Sequence, residues 1–226
     1  MHYDNIFPAK FITRHNRFVA DIEIDGKVCP CHVKNTGRCK ELLIPGSNIF
    51  VQSSDSQERK TKYDLISVYK GKRLINIDSQ VPNKVFKEWA IAGGLRRPVT
   101  YIKPEFKYKN SRFDFYMELE NINALVEVKG VTLEDGNIAM FPDAPTERGV
   151  KHVLELIDSL SDGYKAYIVF VIQMRAVTKF RPNDVMHKAF GDALRKAHKK
   201  GVEILAFNCD ILRDSISPAK AVQVIL

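Results

Sequence analysis

Hydrophobic and polar positions alternate in short runs from residue 1 to about 82, the grammar of strands rather than helices. Phe18-Val19-Ala20-Asp21-Ile22-Glu23-Ile24 ends at Asp25-Gly26, a hairpin turn signal, and Lys27-Val28-Cys29 resumes the strand. Asn48-Ile49-Phe50-Val51-Gln52 follows Pro45-Gly46. Asp64-Leu65-Ile66-Ser67-Val68-Tyr69 and Arg73-Leu74-Ile75-Asn76-Ile77 flank Lys70-Gly71-Lys72. Strands at this spacing predict a small antiparallel barrel. Between them Asn35-Thr36-Gly37-Arg38-Cys39-Lys40 reads as a tight basic loop, and Ser53 to Lys62 as a polar one.

After Val81-Pro82-Asn83 the period lengthens. Asn83 is expected to cap a helix through Ala92, closed by Gly93-Gly94. A basic extended segment follows. A hairpin then pairs Phe113-Asp114-Phe115-Tyr116-Met117 with Ala124-Leu125-Val126-Glu127-Val128-Lys129, and a short third strand is placed near Ile138 to Met140. Val150, Val153, Leu154 and Ile157 give the apolar stripe of a helix from about Thr146 to Leu160. Ala166 to Ile172 is apolar throughout, as a strand covered on both faces should be. Asn183 or Asp184 caps a last helix with Met186, Ala189 or Phe190, Ala193 and Ala197 inward; Gly201 ends it and Val202 to Phe207 is a further strand. The order is helix, three strands, helix, strand, helix, strand, an α/β grammar (α+β overall).

Charge sharpens this picture. The 226 residues carry 35 Lys and Arg against 27 Asp and Glu, a net charge of +8. A basic balance favours polyanionic partners, because counterion release drives non-specific nucleic-acid affinity. The charge is segmented: residues 84–112 and 173–200 are each net +6, and residues 113–172 between them are net −7. Such an order suits a metal site with backbone-binding walls; charged helix faces alone would also produce it. No apolar run approaches the ~20 residues of a membrane span, and the N-terminus has no signal-peptide pattern. Cys29, Cys31, Cys39 and Cys209 lack zinc-type spacing and read as free thiols in a reducing cytoplasm.

The candidate chemistry lies in the second hairpin. Glu127 and Lys129, two apart on a strand, share one face. If pairing brings Asp114 alongside, two carboxylates and an ammonium converge. Phosphodiester hydrolysis uses such a set: carboxylate oxygens hold Mg²⁺ or Mn²⁺, and a lysine offsets charge building on the phosphate. A Glu-x-Lys pair by itself equally describes a solvated face with a cross-strand ion pair. Its setting inside apolar strands, where a charge needs a partner or a metal, favours the functional reading.

Asn35-Thr36-Gly37, Pro45-Gly46, Ser111-Arg112-Phe113-Asp114-Phe115, Val126-Glu127-Val128-Lys129-Gly130-Val131-Thr132-Leu133 and Phe141-Pro142-Asp143-Ala144-Pro145-Thr146-Glu147-Arg148-Gly149-Val150-Lys151-His152 together resemble the bacterial and archaeal sugar fermentation stimulation proteins, through nearly the whole chain. The resemblance implies an N-terminal small OB-like β-barrel over residues 1–82, then a restriction-endonuclease-like αβββαβ core of the PD-(D/E)xK type over 83–226. It also implies DNA binding and a role named for sugar metabolism, with no firmly assigned reaction. Carried over by position, Asp114 is the motif aspartate, Glu127 the second acid and Lys129 the lysine, with Asp114 and Glu127 as metal ligands. Glu88 fills the additional acidic position on the first helix. Arg112-Phe113 stands where the pattern has Pro. Arg38, Lys40, Arg96, Arg97, Arg112, Arg148 and Lys151 are the expected DNA contacts, with single- or double-stranded DNA as partner. Phe18 and Phe50 are either base-stacking or core residues, and His152 reads as packed or surface rather than as a ligand. The reading leaves open a non-catalytic DNA-binding regulator, a protein-interaction factor, and the oligomeric state, homodimer included.

Overall fold

A computed structural model describes residues 1–35, 37–54 and 59–226. Thr36 of the Asn35-Thr36-Gly37 turn and residues 55–58 of the polar Ser53-to-Lys62 loop lie outside the described residues. Five strands form the N-terminal barrel: β1 (Ile6–Arg14), β2 (Val19–Ile24), β3 (Lys27–Val33), β4 (Asn48–Ser53) and β5 (Tyr63–Lys70). They are ordered β3-β2-β1-β4-β5, and a parallel β3–β5 pairing closes the ring, the connectivity of an OB barrel. The turn at Asp25-Gly26 has φ of 51° and 71°, as a two-residue hairpin matching strand twist requires. Alternate residues Ala20, Ile22, Val33, Val51 and Leu65 fill the interior. A sixth strand, β6 (Arg73–Asn76), extends the sheet toward the second half.

The second half begins with α1 (Val81–Ile91). Its six-stranded sheet contains β7 (Tyr101–Tyr108), β8 (Ser111–Leu119), β9 (Ile122–Val131), β12 (Lys165–Ile172), β14 (Glu203–Ile211) and β15 (Ile216–Ala221), in the order β15-β14-β12-β9-β8-β7. β10 (Leu133–Asp135), β11 (Ile138–Phe141), β13 (Lys179–Pro182) and β16 (Gln223–Val224) form a small side sheet, and α2 (Glu147–Ser161) and α3 (Asp184–Lys200) complete the fold. β12 runs parallel between β9 and β14, and Ala166 to Ile172 is fully buried, as its unbroken apolar run requires. One apolar layer packs under α1 and the other under α2 and α3. No helix among the described residues is long and apolar enough to cross a membrane.

Several expectations change. The third strand of the meander is β7, the basic extended segment; Ile138 to Met140 pairs instead in the side sheet. The buried stripe of α2 is Gly149, His152, Val153, Leu156 and Ser159, one step round from the apolar pattern, and Leu154 is exposed. That face can be buried because His152 finds Glu127 inside, while the Ser159 hydroxyl is satisfied within its own helix by the Leu156 carbonyl at 2.8 Å. Met186 likewise faces out of α3. Asn83 is not a cap; α1 starts at Val81 after Gln80, with Pro82 in its first turn, leaving the Asn83 amide free for another task.

Candidate functional site

The site forms where β8 and β9 part. Their ladder runs from Leu119–Ile122 to Phe115–Val126. One step on, Val128 N–H donates to Asp114 Oδ2 at 2.7 Å, so the side chain continues the ladder where backbone pairing has ended. Across the other edge, the β7–β8 register passes from Pro104–Phe115 to Phe106–Phe113, with Glu105 opposite Asp114 at φ 56°. A left-handed backbone costs a residue with a Cβ about 1–2 kcal/mol, and such positions gather at sites. β8 changes face at the same level. Phe113 packs with Tyr108, Val153 and Leu156 under α2, while Phe115, only two residues on, packs with Phe86 and Val126 under α1. Regular pleating would put both on one face.

Asp114 and Glu127 therefore approach each other from different layers. Asn83 Nδ2 of α1 donates to Asp114 Oδ1 at 2.9 Å. Glu127, 3% exposed, receives His152 Nδ1 of α2 at 2.6 Å and Lys129 Nζ at 2.5 Å, both on Oε1. Arg148 Nε donates to His152 Nε2 at 3.4 Å, so a chain of donors runs from exposed Arg148 through His152 to the buried carboxylate. Glu127 Oε2 is buried with no hydrogen-bond partner among the described residues. The neighbouring Lys129 side chain is 18% exposed.

The two acids titrate in opposite directions. Burial, then the charge of Glu127, pushes Asp114 above the usual carboxylate range, against the pull of Val128 N–H, Asn83 and Lys129. Burial also opposes ionisation of Glu127, but the His152 hydrogen bond and the Lys129 charge outweigh it and hold that carboxyl low. The surroundings thus favour the ionised form of Glu127 and oppose that of Asp114, a separation of the kind that acid–base sites display.

Asp114, Glu127 and Lys129 thus converge, whereas Glu88 stays away. Glu88 is an exposed residue paired with the Met1 ammonium at 3.0 Å, on a different side of α1 from Asn83. The helix brings an amide, not a third acid, to the site. Among the described residues no group of three or more His, Cys, Asp or Glu side chains is arranged to hold a metal. The oxygens on offer to a hard cation are those of Asp114 and Glu127, Oε2 above all, the donor type such ions take.

Arg112, Arg148 and Lys151 line one hollow of about 500 Å³ with Ser111 and His152. Arg38 and Lys40 are exposed on the barrel loop. That loop abuts the second half: a Cβ on Gly37 would stand 2.6 Å from Asp143 Oδ2, so any larger residue must displace that carboxylate. Asn35, Ser79, Gly130, Thr132 and Asp143 share a crevice there, directly beyond Lys129. Arg96 and Arg97 do not join this set. They line a separate hollow with Lys165 and Glu203 at the opposite end of the strands. Lys165 pairs with Ala124, five residues and roughly 16 Å from Lys129 at ~3.3 Å per residue. Phe50 lies against Tyr69 and under Arg213, while Phe18 is exposed with Arg17 5.5 Å from its ring. The sequence reading missed Asn83 and His152 as site residues. Only their spacing from motif residues, such as Arg148-x-x-x-His152 on one helix face, signals them.

Comparison with known proteins matches the family of the SfsA N-terminal OB domain over residues 12–77 and that of the sugar fermentation stimulation protein RE domain over residues 80–215. The chain is 58% identical over 226 residues to a sugar fermentation stimulation protein homolog of Clostridium beijerinckii, covering 100% of both chains. It is 58% identical over 224 residues to the homolog of Ruminiclostridium cellulolyticum, covering 99% of each. A solved structure, that of Pyrococcus furiosus SfsA in complex with Ca²⁺, superimposes with a TM-score of 0.90 at 30% identity, over 100% of this chain and 98% of the other. The chain belongs to the sugar fermentation stimulation protein family.

Proposed function

We propose that this chain is a cytoplasmic DNA-binding protein whose second half is a divalent-metal-dependent phosphodiesterase acting on DNA. The observation that carries the reading is Glu127 Oε2. A buried carboxylate oxygen without a donor costs roughly 1–3 kcal/mol or more, and a cation held by Glu127 and Asp114 would remove that cost. Mg²⁺ or Mn²⁺ fits the all-oxygen donor set, and Ca²⁺ accompanies the related Pyrococcus furiosus protein. When bound, the ion neutralises phosphate charge and acidifies water.

The chain's own residues do the rest. Asn83 and the Val128 amide fix the Asp114 carboxylate. His152 anchors Glu127 Oε1 and leaves Oε2 clear. Lys129, the partly exposed member, stands where charge develops on the phosphate and orients the attacking water. Arg112, Arg148 and Lys151, with Arg38 and Lys40 across the crevice, grip the phosphodiester backbone. Four free thiols suit a reducing cytoplasm. Incubating single- and double-stranded DNA with Mn²⁺ tests the reading: the wild type should cleave and Asp114→Ala should not. Equal cleavage by both removes the assignment.

A second reading, a DNA-binding regulator without turnover, draws on one observation. Lys129 and His152 already compensate Glu127, and Glu88 adds no third acid. It predicts tight, salt-sensitive binding and no Mn²⁺-dependent product.

A further inference from the structure

The two halves meet along a seam closed by the Ile75–Met174 bridge, by Asn76 N–H to the Gln173 carbonyl at 3.0 Å, and by Gln173 Nε2 to Asn76 Oδ1 at 2.9 Å. The crevice beside Gly130 opens at this seam. A much larger groove, about 930 Å³, opens there too and shares no lining residue with that crevice or with the hollow at His152. Its walls are the β5–β6 hairpin of the barrel, the β10–β11 hairpin, Arg175-Ala176 and the turn after β14. Small-molecule pockets of roughly 300–1,000 Å³ favour such domain interfaces.

The lining is chemically two-sided. Five cations, Lys70, Lys72, Arg73, Arg175 and Arg213, face two carboxylates, Glu134 and Asp135. Buried Glu134 takes both Lys70, at 2.7 Å, and Arg73, which leaves that cluster positive. Arg175 leans on Asp210 at 2.9 Å, and Lys72 has no ion pair among the described residues. Arg213 is held in place by the Ile6 carbonyl at 2.5 Å and by the Phe50 ring, 5.9 Å from its centroid. Beside these cations lie partly exposed apolar surfaces: Tyr69, 37% exposed with one side against Phe50, and Leu212, 55% exposed. Fixed guanidinium groups select phosphate, and an exposed aromatic ring selects a flat base.

We propose that this groove binds a nucleoside phosphate, with its phosphates on Lys72, Arg175 and Arg213 and its base on Tyr69 and Leu212. The occupant touches both halves and ties the barrel to the second domain. Its source is either a free nucleotide or the end of a strand.

Calorimetric titration of the full chain with ATP, AMP, tripolyphosphate and a short oligothymidylate tests this, with EDTA present to keep the site at Asp114 idle. Saturable ATP binding and a raised Tm are expected, since a ligand held only by the folded state stabilises it. Lys72→Glu should weaken ATP and tripolyphosphate about tenfold; Tyr69→Ala should weaken ATP about tenfold and leave tripolyphosphate alone. Both variants should keep the wild-type Tm without ligand. Competition between ATP and the oligonucleotide identifies a strand end as the source, and its absence a free nucleotide; either result keeps the groove. Heat signals that never saturate would overturn the proposal. So would ATP affinity indifferent to both substitutions, or tripolyphosphate binding that matches ATP in every variant.

Discussion

Each half of the molecule buries a carboxylate ringed by hydrogen-bond donors, and the two differ in one oxygen. In the barrel, Asp64 takes His32 and Arg59 on Oδ1 and Arg59 and Lys34 on Oδ2. In the second half, Glu127 takes His152 and Lys129 on Oε1 and, among the described residues, nothing on Oε2. Burial opposes ionisation of both acids, and in both the surrounding donors win and hold the carboxyl low. A carboxylate saturated on both oxygens serves the fold, because no lone pair is left for a ligand. One saturated on a single oxygen serves the fold only halfway and keeps a face for chemistry.

The largest effect expected from this difference is catalytic. Asp114→Asn should lower Mn²⁺-dependent cleavage on the order of 10³-fold, about 4 kcal/mol of transition-state stabilisation. The same substitution should leave Tm unchanged or higher. Asp114 has a folded-state pKa above its unfolded value, so at neutral pH its ionised form subtracts from stability, and asparagine removes that charge while still accepting from Val128 N–H. Kinetics and thermal unfolding on one sample check both halves of the statement. A drop in Tm with intact cleavage would reverse the roles assigned to the two regions.

Asp64→Ala should do the opposite. Removing one partner of a buried pair costs about 3 kcal/mol, which for a chain of this size lowers Tm by roughly 6–12 °C. Cleavage measured well below that Tm should be unchanged. The loss should depend on pH. The folded-state pKa of Asp64 is depressed, so its contribution is complete above the unfolded carboxylate value near ~3.9 and is lost as pH falls below that value and through the lower folded-state pKa. Thermal unfolding of wild type and variant should therefore converge in acid.

The sequence speaks clearly about one side of this comparison and faintly about the other. Ala166 to Ile172 announces a covered central strand, Asp25-Gly26 a tight hairpin, and Glu127-x-Lys129 one strand face, because each depends on local periodicity or backbone freedom. Asn83 resembles a helix cap until Pro82 is seen to start the helix earlier. Glu88 resembles an extra acid until its side chain turns to the Met1 ammonium. His152 breaks the apolar stripe of α2, and only its partner on β9 explains why it is buried. The reversal of Phe113 and Phe115 across Asp114 has no local signal beyond Glu105, whose positive φ no residue type advertises. What stayed hidden depends on contacts between residues dozens of positions apart.

A smaller effect sharpens the contrast through pH. Protonated Asp114 cannot hold a cation, so activity should rise with pH through its elevated pKa. The Asn83 hydrogen bond lowers that pKa. Asn83→Ala should therefore move the acidic limb of the pH–rate profile to higher pH and leave the plateau rate within about tenfold. A lower plateau with an unmoved limb would make Asn83 a packing residue only.

The smallest effect concerns the barrel loop, the place where the two regions act together. Arg38 and Lys40 are exposed, and Gly37 beside them lets the loop close on Asp143. Each cation that meets a phosphate releases counterions, so Arg38→Ala and Lys40→Ala should each weaken DNA binding a few-fold and lower the slope of log affinity against log salt by about one. Thermal stability should not move, since neither side chain supports the Asp64 network. Gly37→Ala distinguishes contact from approach: it keeps both cations but collides with Asp143, so it should reduce the salt slope as much as removing both. If the slope survives Gly37→Ala, the barrel binds DNA independently of the crevice, and each half works alone.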